Sequence, residues 1–156
     1  MVKKIKQPSC LGMVDISQKT VTTRRAVASA AVIFDAKAFA LLVKEGSPKG
    51  NLFETARIAG IMAAKKTPEI IPLCHPLSLD KVKVDIEVIR PKKAVKITSE
   101  IVSTGKTGVE MEALAAVSAA ALTIYDMMKW AGQSMVISDV KLLHKSGGKS
   151  GIYNRS

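Results

Sequence analysis

"VKVDIEVIRPKKAVKITSEIV", residues 82–102, is the stretch on which the fold turns. Val82, Val84, Ile86 and Val88 alternate with Lys83, Asp85 and Glu87. Successive side chains of a strand point to opposite faces, so this spacing makes one face apolar and leaves the other wet. Arg90-Pro91-Lys92-Lys93 turns the chain, and Val95, Ile97, Ser99 and Ile101 then alternate with Lys96, Thr98 and Glu100. Two half-buried strands joined by a short turn read as an antiparallel hairpin.

Upstream of the hairpin, residues 22–34 ("TTRRAVASAAVIF") suit a strand, and residues 35–46 ("DAKAFALLVKEG") a short helix closed by Gly46. The turn-rich "SPKG" (47–50) follows. Asn51 stands where a helix N-cap belongs, ahead of "LFETARIAGIMAAKK", which Thr67-Pro68 should stop. Downstream, Thr107 with Glu110 fits a capping box opening a long helix over 109–131, ended by Gly132. A last strand, "MVISDVKLLH", runs into "KSGGKSG" (145–151). Strand, two helices, two strands, helix, strand is the βαββαβ order of the ferredoxin-like fold with one helix extra. The expected architecture is therefore α+β, an antiparallel four-stranded sheet with helices on one face.

At 156 residues and 47% hydrophobic composition the chain reads as one domain, residues 1–156, with 1–12 and 146–156 expected to be flexible. The apolar runs are broken by charges before the ~18–20 residues of a membrane span. The basic start has no apolar signal-like stretch behind it, so the expected location is the cytoplasm. Cys10 and Cys74 form no CxxC spacing, which suggests neither a disulfide framework nor a zinc knuckle. Twenty-four Lys and Arg against 13 Asp and Glu leave a net charge of +11, and that surplus suits an anionic partner. RNA-recognition domains share the fold order but need aromatic platforms on the inner strands. The hairpin has no Phe, Tyr or Trp, so nucleic acid is not the expected partner, nor is a membrane.

Chemistry concentrates in a few places. In "IIPLCHPL" (70–77) Cys74 and His75 are adjacent. In an extended segment their side chains diverge, which makes a poor metal grip, and His75 reads either as a satisfied buried histidine or as a group aimed at a ligand. "KSGGKSG" combines backbone freedom with two lysines. It reads either as a phosphate cradle or as a loose basic tail, and it is no Walker A loop because Leu143 stands where the first glycine belongs. Lys49 precedes a helix N-terminus, where anions are welcome.

The helix over 109–131 is apolar on nearly every side, so it should be buried on more than one face. Asp126 and Lys129 break that pattern at i and i+3, as an acid/base pair or as a surface ion pair. Glu110 is explained by the capping box, whereas Glu112 is not. Glu112 and Asp126 are 14 residues apart and share a face, but the rise between them is ~21 Å. If both serve one site, two subunits build it.

Residues 49–77 ("KGNLFETARIAGIMAAKKTPEIIPLCHPL"), 104–129 ("TGKTGVEMEALAAVSAAALTIYDMMK") and 142–151 ("LLHKSGGKSG") together resemble the cyclic pyranopterin monophosphate synthase family, the molybdenum cofactor biosynthesis protein C group. The resemblance implies a ferredoxin-like lyase. Such an enzyme converts 3′,8-cyclised dihydro-GTP to cyclic pyranopterin monophosphate and pyrophosphate, with no cofactor required beyond magnesium that could accompany the triphosphate. It implies a homohexamer, a trimer of dimers with sites at subunit interfaces. It also implies Asp126 and Lys129 as catalytic, and Leu73, Cys74, His75, Glu110, Met111, Glu112, Lys49 and Lys145 as substrate-binding. One arginine of "TTRRA" joins them, with Arg24 favoured over Arg25 by its spacing from "MVDIS".

Overall fold

The computed structural model describes residues 11–156, so Cys10 and the basic start lie outside the described residues. The hairpin forms as its alternation requires. Strand β2 (Lys81–Ile89) pairs antiparallel with β3 (Ala94–Gly105), with Val84 opposite Ser99 and Ile86 opposite Ile97. A single 3-10 turn, Arg90–Lys92, joins them through Lys93 in the left-handed region. Val84, Val95, Ile97 and Ile101 are buried. On the wet face Lys81 and Arg25 both pair with Glu100, at 2.6 and 2.7 Å.

Strand β1 (Thr22–Ile33) lies on the other side of β3, and β4 (Val136–Ser146) beyond it. The order β2-β3-β1-β4, antiparallel at every step, is that of the expected ferredoxin-like sheet. The sheet has five strands rather than four. A two-residue β5 (Tyr153–Asn154) returns along the edge of β4, where His144 Nδ1 meets Asn154 Oδ1 at 2.7 Å and the Arg155 side chain donates to the Leu142 carbonyl.

The helices α1 (Ala36–Glu45), α2 (Leu52–Lys65) and α4 (Glu110–Met128) share one core with the sheet, and the short α3 (Thr67–Ile70) follows α2. Helix α4 crosses β1, β3 and β4, and α2 lies beside α4 and over β2. The inward residues of β1 are Ala26, Ala28, Ala30 and Val32, and α4 answers with Ala113, Ala116, Ala120 and Ala121, all buried. Small side chains on both surfaces let helix and sheet approach closely. Gly60 does the same between α2 and α4, because a Cβ there would lie 2.9 Å from the Ala116 carbonyl oxygen. Helix α4 is long and apolar enough to cross a membrane by composition, but half of that span is buried in this core.

Two expectations about helix ends change. Helix α2 starts at the Asn51 cap, whose side chain accepts from the Glu54 N–H, yet Thr67-Pro68 do more than stop it. The Thr67 hydroxyl donates to the carbonyls of Ala63 and Ala64, and Thr67 begins the extra turn α3 with Pro68 next, where a missing N–H costs nothing. The Thr107–Glu110 capping box does not form. Val109 is the N-cap, without a side-chain bond, and Glu110 is the first helical residue, too early to reach back to a cap. Val109 itself is buried in the core.

Candidate active site

The last turn of α4 carries a cluster of three charges. Asp126 accepts from Lys129 of its own helix at 2.8 Å and from Lys49 at 2.6 Å, one lysine on each carboxylate oxygen. Lys49 arrives there through the turn Ser47-Pro48-Lys49-Gly50. Serine at the first position, proline at the second and glycine at the fourth suit such a turn, which the Gly50 N–H closes onto the Ser47 carbonyl. All three charged side chains are half-exposed. The sequence left this pair open between an acid/base pair and a surface ion pair, and at the helix end it does reach solvent.

The two ammonium groups hold the Asp126 carboxyl down at about 2, Lys129 contributing most, and the carboxylate in turn raises Lys129. At neutral pH the pair is therefore a carboxylate and an ammonium, each held in that charged form by the other.

The first turn of α4 faces a different environment. A cavity of about 570 Å³ opens there, bordered by Lys19, Arg24, Arg25, Lys106, Lys145 and Lys149, with Glu110 as the acidic group among them. Glu110 binds Lys145 at 3.1 Å. Arg24 donates to the carbonyls of Gly105 and Lys106, both at 3.3 Å, and to that of Gly147. It thus ties the glycine loop to the end of β3. Gly147 and Gly148 have positive φ, and a Cβ on either would strike the Thr23 carbonyl or the Arg24 guanidinium. The loop closes this tightly only because both are glycine. Arg24 lies on the helix side of the sheet, while Arg25, which also borders the cavity, turns its guanidinium to Glu100 on the open face.

Next to this end lies the "PLCHP" segment, which follows α3 in a turn closed by the Cys74 N–H on the Ile71 carbonyl. Leu73 is exposed, and Cys74 and His75 are half-buried. Burial raises the Cys74 thiol, and the Glu112 carboxyl adds to that rise. Glu112 itself is 3% exposed, a buried carboxyl raised by burial and then by Glu110. Met111, beside it, points outward.

The structure therefore brings Lys49, Asp126 and Lys129 together at one end of α4. Arg24, Lys145, Glu110, Glu112, Cys74, and with Cys74 its neighbours Leu73 and His75, gather toward the other. It does not join the two groups within one chain, since ~21 Å of helix rise separates Glu112 from Asp126. Lys19 and Lys106 were not singled out from the sequence. Lys106 could have been, because it stands in a glycine-flanked turn just before a helix N-terminus. Among the described residues no three of His, Cys, Asp and Glu gather as a metal site would require.

The MoaC family model matches residues 13–148. This chain belongs to the MoaC family. The MoaC match spans every site residue named above from Arg24 to Lys145. Among its relatives is a Streptomyces griseus protein named cyclic pyranopterin monophosphate synthase, 56% identical over 144 residues, 92% of this chain and 80% of the relative. Relatives of the same name from Streptomyces coelicolor and Streptomyces avermitilis are each 54% identical over 92% of this chain and 84% of their own length.

Proposed function

We propose that this chain is a cyclic pyranopterin monophosphate synthase, a lyase of molybdenum cofactor biosynthesis. It takes 3′,8-cyclised dihydro-GTP to cyclic pyranopterin monophosphate and pyrophosphate. The observation that carries this reading is the pairing of Asp126 with Lys49 and Lys129 in a chain of this family.

A triphosphate needs cations, and six border the cavity at the start of α4, two of them, Arg25 and Lys145, also paired with carboxylates. They neutralise the phosphate oxygens and make pyrophosphate a better leaving group. Glu112, with Met111 and the Leu73-Cys74-His75 segment, supplies a drier wall for the base. Asp126 accepts and Lys129 donates protons as the purine ring opens and the pterin closes. Magnesium enters only as a companion of the triphosphate, and the reading gives the protein no cofactor of its own.

The two ends of α4 serve one substrate only when they come from two chains. The reading is therefore a homo-oligomer, a homohexamer built as a trimer of dimers, working in the cytoplasm. Exposed apolar side chains along the helices support it: Leu122 and Ile58 are each 61% exposed and Met62 45%. The test is direct. Purified protein given the cyclised dihydro-GTP should release pyrophosphate together with a pyranopterin product. Substrate returned unchanged, from protein that is folded, would reject the activity.

A further inference from the structure

One hydroxyl links the two sequence-distant halves of the Asp126 cluster. Ser47 Oγ donates to the Met127 carbonyl at 2.8 Å and accepts from the Lys49 N–H at 3.2 Å. The first bond lands one residue after Asp126 and the second on the residue whose ammonium pairs with it. Met127 lies in the last turn of α4, where carbonyls lack helical partners, so the hydroxyl fills a vacancy that helix ends always leave. Among the described residues, the hydrogen bonds joining this turn to α4 are that one and the Lys49–Asp126 contact itself. A lysine side chain has four rotatable bonds and holds one geometry only at an entropic cost. The Lys49 ammonium meets Asp126 Oδ2 while Lys129 takes Oδ1, so where the Lys49 backbone sits bears directly on this pairing.

We propose that Ser47 is a positioning residue of the active site: its hydroxyl sets the register between the Lys49 turn and the end of α4, and so places the Lys49 ammonium on Asp126. This rests on the reading of Asp126, Lys49 and Lys129 as the reacting cluster. Ser47 does not itself touch substrate in this role. The charged groups facing Asp126 are Lys49 from the turn and Lys129 from its own helix.

The test compares Ser47→Ala, Ser47→Thr and, as a reference, Lys49→Met in the full chain. Turnover of the cyclised dihydro-GTP is measured alongside the titration of the Asp126 carboxyl by carbon-13 NMR. In Ser47→Ala, kcat should fall about tenfold to a hundredfold, the scale on which ångström misplacements act, while KM changes less. The Asp126 titration should move up from about 2, in the direction that Lys49→Met moves it. Threonine keeps the hydroxyl, so Ser47→Thr should restore both. Unchanged titration and unchanged kcat in Ser47→Ala would overturn the proposal. So would a lower melting temperature with the titration in place, the mark of a merely structural bond. A titration that moves while kcat holds would uphold the positioning and remove Asp126 from the chemistry, which separates failure here from failure of the underlying site reading.

Discussion

Asp126 and Glu112, two carboxyls on one helix, respond to pH in opposite ways. The lowered Asp126 group is stabilised by its lysines above the usual carboxylate range, and that contribution disappears as pH falls toward about 2. Glu112 is raised by burial, so the folded protein binds its proton more tightly than the unfolded chain does. Stability contributed by Glu112 is complete below the ordinary glutamate value and declines as pH rises through the folded one. Replacing Glu112 with Gln keeps the shape and removes the buried ionisation. The variant should melt a few degrees higher than the wild type at neutral pH, and the gap should close below pH ~4. Melting curves across that range check this, and a variant less stable at neutral pH would contradict it. The sequence set Glu112 apart as a glutamate without a structural task, and the family resemblance gave it to substrate binding, but its burial was not visible there. Cys74 of the "PLCHP" segment lies near enough for the Glu112 carboxyl to raise its thiol, an interaction between residues 38 positions apart.

At the scale of elements, the hairpin was legible because a half-buried strand imposes a period of two on its side chains. The Asn51 cap and the "SPKG" turn were legible because each depends on local chemistry alone. The start of α4 was misread for the opposite reason. A capping box is a local pattern, whereas the observed N-cap is Val109, a residue buried in the core that offers no side-chain bond. Strand β5 left no signature, since two residues make a strand only by borrowing the edge of β4. Gly60 also looked unremarkable inside an amphipathic helix, and its role appears only where α2 meets α4. Gly60→Ala should raise intrinsic helix propensity yet destabilise the fold by about 1–3 kcal/mol, because the methyl group has a backbone carbonyl in its way. A denaturant midpoint equal to or above that of the wild type would show that the helices can separate at no cost.

For the whole molecule, most candidate residues could be named from sequence, but their grouping could not. Helix geometry gave the ~21 Å separation in advance. The cation-lined cavity, by contrast, collects residues from the segment before β1, the turn before α4 and the loop after β4, and no spacing rule connects these. The two-chain reading of the site leads to an experiment with a clear sign. Glu112→Ala and Asp126→Asn chains should each be inactive alone, with Asp126→Asn still binding substrate. Mixed by subunit exchange they should regain about a quarter of wild-type activity, since a site drawing Glu112 from one chain and Asp126 from the other escapes both changes in about one pairing of four. Exchange without recovery would place both halves in one subunit.

The backbone rise of α4 also limits what engineering can achieve. Side chains can be lengthened or repacked, but a 19-residue helix cannot bring its own ends together. On the two-chain reading, a variant redesigned as a stable monomer would stay inactive however well it folded. Specific activity would fall on dilution below the subunit affinity, and the most direct rescue would be a tandem fusion of two copies.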